Sequence, residues 1–105
     1  MIAMSPEEEK IIAGIIAEFA PDCNVYAYGS RVKGTNGKTS DLDLAFALPN
    51  GAKLPFTRLG DIKYAFSESD LIFRVDVLDY NGVEEHFRKI IDRERLEIVG
   101  VQKGR

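Results

Sequence analysis

The sequence predicts a small α/β (α+β) domain, a mixed three-stranded sheet packed with helices. Three observations carry this. Segments with apolar residues at helical spacing alternate with segments of period-two pattern. Turn residues punctuate their boundaries at Pro21-Asp22, Gly29 to Ser40, Pro49-Asn50-Gly51 and Asn81-Gly82. The 105 residues, taken as one domain over 1–105, match the size of a single core.

The first helix is marked by Ser5 as N-cap, Pro6 in the first turn and Glu8 three residues on as a capping box. Glu7, Glu8 and Glu9 set negative charge at the positive end of its dipole. Ile11, Ile12, Ile15, Ile16 and Phe19 form its apolar stripe. Pro21 ends it, and Asn24 to Tyr28 reads as a short strand. Gly29 to Ser40 is a polar connection with room for one helical turn near Arg31. Asp41 to Leu48 is the second strand, and Thr57 to Phe66 a helix with Leu59, Ile62 and Phe66 on one side. Leu71 to Asp79 is the third strand. Val83, Phe87, Ile90 and Ile91 mark a last helix. Beyond residue 94, Leu96, Ile98 and Val99 suit either a short strand or a docked tail.

Composition narrows the function. With 45% hydrophobic and 30% charged residues, the chain is neither disordered nor fibrous. A net charge of −3 argues against nucleic acid as a partner, so any phosphate recognition must be local. The single cysteine, Cys23, can form no internal disulfide and no multi-thiol zinc site. No apolar run approaches a membrane span, and no basic-then-apolar leader opens the chain. A cytoplasmic setting without membrane association is the expectation.

The chemistry concentrates in Tyr28 to Phe46. Alternate strand residues share a face. Asp41 and Asp43 therefore share one face, and Leu42, Leu44, Phe46 and Leu48 the other, which must be core. Two carboxylates side by side repel unless a cation separates them, and hard oxygen ligands suit Mg²⁺ or Mn²⁺. A lone Asp-x-Asp is more often a solvated strand end. The third strand changes the balance. Leu71, Phe73, Val75 and Val77 face the core, and Asp76 falls on the opposite face beside Arg74. Should the two strands be neighbours, Asp76 joins Asp41 and Asp43 in a cluster able to hold two metal ions for in-line phosphoryl chemistry. The plainer role for Asp76 is a salt bridge to Arg74. By parity Asp79 faces the core and marks the strand's exit. Gly29 allows close approach of backbone to a phosphate, and Ser30 offers an N–H and a hydroxyl. Arg31, Lys33 and Lys38 make the connection locally basic.

Two decoys fail. Gly37-Lys38-Thr39 mimics the end of a P-loop, but Val32 stands where that motif needs glycine. The Asp-x-Asp of nucleotide-sugar glycosyltransferases belongs to much larger chains. His86 reads as a surface residue and Cys23 as a semi-buried small one. Tyr26, Tyr28, Tyr64 and Phe66 read as core or interface, with Tyr64 also able to line a nucleotide cleft.

Gly29-Ser30, ten residues and then Asp41-x-Asp43 resemble the signature of the DNA polymerase β-like nucleotidyltransferases. Gly29-Ser30-Arg31-x-x-Gly34, Ser40-Asp41-Leu42-Asp43-Leu44-Ala45 and Arg74-Val75-Asp76-Val77-Leu78-Asp79 are similar to the minimal nucleotidyltransferases, the small halves of HEPN–MNT pairs. The resemblance spans residues 5 to 95. It implies divalent metal on Asp41, Asp43 and Asp76, and nucleotide phosphates at Gly29 and Ser30, with Arg31 and Ser40 as further nucleotide-binding candidates. It implies two Mg²⁺ ions (or Mn²⁺), ATP as donor, AMP transfer to a partner's hydroxyl, and an antitoxin role. Asp76 is also a candidate to help deprotonate the acceptor. The rival is a non-catalytic nucleotide-binding module that regulates its partner by contact alone. A second subunit, a helical HEPN-type protein, is expected on the tail through Leu96, Ile98, Val99 and Val101, or on the adjacent last helix, with a homodimer through the same surface as the fallback.

Overall fold

Ser5 opens helix α1 (Pro6–Phe19) by the reciprocal capping the sequence predicts. Its hydroxyl accepts from the Glu8 N–H at 3.2 Å, and the Glu8 carboxylate accepts from the Ser5 N–H at 2.8 Å. The computed structural model describes residues 4–35, 37 and 40–98. After α1 come β1 (Asn24–Tyr28), the one-turn helix α2 (Ser30–Lys33), β2 (Leu42–Ala47), α3 (Phe56–Ser67) and β3 (Val75–Asp79). A 3₁₀ turn (Tyr80–Gly82), α4 (Glu85–Glu94) and β4 (Leu96–Glu97) follow.

The strands form one mixed sheet in the order β3-β2-β1-β4. β1 runs antiparallel to β2 and β4, and β2 runs parallel to β3, with α3 as the crossover. The sheet is covered on both faces. Val25, Ala27, Leu42, Leu44, Phe46 and Val77 turn toward α1 and α3, where Ile12, Ile16, Ile62 and Phe66 complete the main core. Tyr28 and Ala45 turn the other way and meet Ile91 of α4, with Leu78 and Phe87 at the margin. The polar face of β2 therefore has α4 beside it, and the main core lies behind.

Among the described residues four strands, not three, make the sheet. The tail expected to seek a partner supplies the fourth: Leu96 lies opposite Ala27, and the Ile98 N–H donates to the Val25 carbonyl at 2.8 Å. Ile98 also packs on the main core. The reason is the outer edge of β1, whose unpaired N–H and C=O groups need a strand or solvent. Leu96 and Ile98 thus have a place within the domain. Val99 and Val101 lie outside the described residues. The third strand is also shorter than predicted, starting at Val75. Phe73 is buried before the strand begins, so period-two apolarity continued past the hydrogen-bonded ladder.

Ending the chain after Arg95 removes β4 and the half-buried Ile98. We expect roughly 1–2 kcal/mol lost, about 5–15 °C in Tm, by thermal denaturation. An unchanged Tm would return the tail to the role of a free docking segment.

Candidate active site

Parity on β2 places Asp43 on the α4 side of the sheet, away from its buried neighbours Leu42 and Leu44. The parallel register sets Asp43 beside Asp76 of β3, and the antiparallel register sets it beside Tyr28 of β1. Asp41 stands just ahead of β2. Asp43 and Asp76 therefore stand side by side on one face, with Asp41 just ahead of the strand. The consequence is electrostatic. Burial first, then the charges of Asp76 and Asp41, push the Asp43 carboxyl up from 3.8 to about 6. Burial and the charges of Asp43, Asp76 and Glu94 push the Tyr28 phenol up to about 12.

Asp76 does pair with Arg74, at 3.4 Å, as its plainer role required. The Arg74 side chain is 80% exposed, however, and a pair so open to water contributes little. Asp79 behaves as a structural residue. Its carboxylate accepts from the Leu54 N–H at 3.1 Å and the Asn81 N–H at 3.3 Å, fixing the strand's exit.

Gly29 sits at φ +86°, ψ −159°, a conformation essentially restricted to glycine. A Cβ there would collide with the Asp43 carboxylate, its Cγ only 3.3 Å away. The backbone of the Gly29-Ser30 turn thus lies directly against the acidic centre. Arg31 turns inward and is 4% exposed. Its Nε donates to the Ser40 carbonyl at 2.9 Å, and its guanidinium lies 4.0 Å from the Phe73 ring centroid. The Ser40 hydroxyl accepts from the Gly37 N–H at 2.7 Å. Arg31 and Ser40, predicted to touch nucleotide, are here engaged in holding the 29–40 connection to the start of β2. Lys38 lies outside the described residues.

Sequence reasoning missed Glu94. From the last turn of α4 its carboxylate accepts from the Gly29 N–H at 2.6 Å and reaches Lys33 at 3.6 Å. Sixty-five residues separate it from Gly29, so only an expectation for the docking of α4 could have found it. Tyr64 is 67% exposed on α3, the helix packed against the opposite face, and takes no part in this centre. His86 is an exposed surface residue beside Glu84, as expected. Cys23 is buried more deeply than expected, and that burial holds its thiol up at about 11. An open groove of about 340 Å³ beside Phe56, Lys63 and Val83 includes none of the predicted site residues.

The donor set is all hard oxygen, and Asp43 and Asp76 set two carboxylates side by side across β2 and β3. Both fit a divalent cation. Among the described residues no three acidic, histidine or cysteine side chains converge on a single ion position. A third carboxylate would have to swing in.

Known proteins resemble the chain over most of its length. The Polymerase beta, Nucleotidyltransferase family matches residues 9–103. The Probable protein adenylyltransferase MntA of Haemophilus influenzae is 48% identical over 97 residues, covering 92% of this chain and 83% of its own. A crystal structure of a toxin–antitoxin with AMP-PNP superposes with a TM-score of 0.72 at 21% identity, covering 91% of this chain and 76% of that one. A complex of tri-AMPylated Shewanella oneidensis HEPN toxin with MNT antitoxin gives 0.66 at 17% identity, covering 96% and 76%. No helix among the described residues is long and apolar enough to cross a membrane.

Two predictions follow from the charge and the turn. In protein stripped of divalent ions, Asp43→Asn should raise the Tm at pH 7.5, and the gain should vanish near pH 4. The folded state holds the Asp43 pKa at about 6, above its ordinary 3.8, so ionisation costs stability as pH rises through that window. Asparagine never ionises and escapes the loss. A variant no more stable than wild type at pH 7.5 contradicts the crowding. Gly29→Ala should lower stability by roughly 1–3 kcal/mol in denaturant titrations, from backbone strain and the collision with Asp43. A neutral result would show that the turn does not press on the carboxylate.

Proposed function

The chain belongs to the polymerase beta nucleotidyltransferase family, and from that premise we propose that it moves AMP from ATP onto a hydroxyl of a HEPN-type partner, as the antitoxin half of a toxin–antitoxin pair. It is a nucleotidyltransferase. The relative at 48% identity is named a Probable protein adenylyltransferase, and two of the structural neighbours are a toxin–antitoxin with AMP-PNP and a complex of AMPylated toxin with its antitoxin. The observation that carries the proposal is the pairing of Asp43 with Asp76 across β2 and β3, pressed against the Gly29 backbone. A reducing cytoplasm is the proposed setting, with residues 1–105 acting as one catalytic domain.

In this proposal Asp41, Asp43 and Asp76 hold two Mg²⁺ ions, or Mn²⁺ in their place. When bound, the ions neutralise the triphosphate and activate the attacking oxygen. The chain's own residues do the rest. Ser30 presents its N–H and hydroxyl to a phosphate oxygen, and Gly29 keeps side-chain bulk out of the way. Arg31 and Ser40 hold the connection that carries Ser30 against the start of β2. Asp76, with a side chain 48% exposed, is open to the acceptor and suited to take the proton from its hydroxyl. Asp43 is the more enclosed and serves to bind.

The test is transfer of label from α-³²P-ATP with Mg²⁺ to a co-purified HEPN-type protein. Asp41→Asn, Asp43→Asn and Asp76→Asn should each cut labelling by roughly 100-fold or more, and Asp79→Asn should largely keep it. A stable complex that never becomes labelled would favour regulation by contact alone. Loss on Asp79→Asn with retention on Asp76→Asn would overturn the assignment of β3.

A further inference from the structure

Glu94 is an anion in an unfavourable place. It stands in the last turn of α4, where the helix dipole disfavours negative charge, and its charge bears on the already crowded Asp43. Something must hold it there. Packing fixes its backbone: Ile91, one turn earlier, is fully buried, and Phe87 meets the Tyr28 ring edge-on at 6.1 Å between centroids. One carboxylate oxygen accepts from the Gly29 N–H at 2.6 Å, and the other lies 3.6 Å from Lys33. Glu94 thus grips the Gly29-Ser30 turn on both sides, from β1 and from α2.

Gly29 needs such a grip. Glycine is the residue least restrained by its own backbone, and this one sits where no other residue settles. Its Cα also forms one wall of the space that the Asp43 carboxylate occupies. If the peptide turned over, that wall would move.

The geometry points to Glu94 as a positioning residue of the acidic centre: it fixes the Gly29 peptide, and the Gly29 backbone in turn fixes the Asp43 carboxylate. Glu94 contributes an acceptor oxygen at a defined place rather than a charge. Its carboxylate also takes the Gly29 N–H, so phosphate contact at this turn falls to Ser30. This inference rests on the proposed metal role of Asp43. Residues that orient a metal ligand typically change metal affinity or rate by about 10–100-fold when lost.

The measurement is Mn²⁺ binding to the purified chain, by electron paramagnetic resonance, with AMP-PNP present and no acceptor. Label transfer is measured separately. Glu94→Ala should weaken Mn²⁺ binding about 10-fold and slow transfer by about 10–100-fold. Glu94→Gln, which still offers an oxygen to the Gly29 N–H, should restore binding to within about 3-fold of wild type. Glu94→Asp keeps the charge but falls short of the turn, and should bind less well than Glu94→Gln. That ranking of Gln over Asp decides the matter even where the alanine variant fails to fold. Asp ranking above Gln would show that charge matters, not the grip, and would overturn the inference. Alanine binding Mn²⁺ as wild type would overturn it equally. Wild-type protein that binds no Mn²⁺ would instead overturn the metal role of Asp43 itself.

Discussion

In the parallel pair of β2 and β3, Leu42 lies beside Val75 and Leu44 beside Val77, and that register brings Asp43 beside Asp76. The apolar contacts fix the carboxylates because a slip of one residue would turn every side chain to the wrong face. Leu42, Leu44 and Phe46 are fully buried. Burying each such side chain contributes about 1.5–3 kcal/mol. Repulsion between two nearby carboxylates is on the order of 1–4 kcal/mol at effective dielectric constants between water and the protein interior. The core outweighs it, so the fold can hold negative charges together that would otherwise separate. Burial first, and then the neighbouring charges of Asp76 and Asp41, raise the Asp43 carboxyl.

The two-faced sheet separates these duties. α1 and α3 seal the apolar side, where Ile16 and Ile62 are fully buried. α4 covers only part of the other side, around Tyr28 and Ala45, and leaves the end bearing Asp43 and Asp76 approachable. A domain this small has little further surface near the centre with which to hold an acceptor.

Much of this was legible in the sequence because it follows from local rules. Ser5, Pro6 and Glu8 specify the start of α1 within a single turn. The alternation Asp41-Leu42-Asp43-Leu44 assigns faces without knowledge of any neighbour, and Asp76 and Asp79 separate by the same parity. The rest depended on contacts far apart in sequence. Nothing local says that Leu96 finds the free edge of β1, or that Glu94 reaches back to Gly29. The inward turn of Arg31 is of the same kind: the Phe73 ring and the Ser40 carbonyl that it meets are both supplied by later segments.

The central claim is that the paired carboxylates of β2 and β3 form the metal and nucleotide centre. Anomalous diffraction from crystals grown with Mn²⁺ and AMP-PNP tests it most directly. The account predicts anomalous density between Asp43 and Asp76, with Asp41 turned toward it and the triphosphate reaching Ser30. Manganese found only elsewhere on the surface, with the space between those two carboxylates empty, would contradict it.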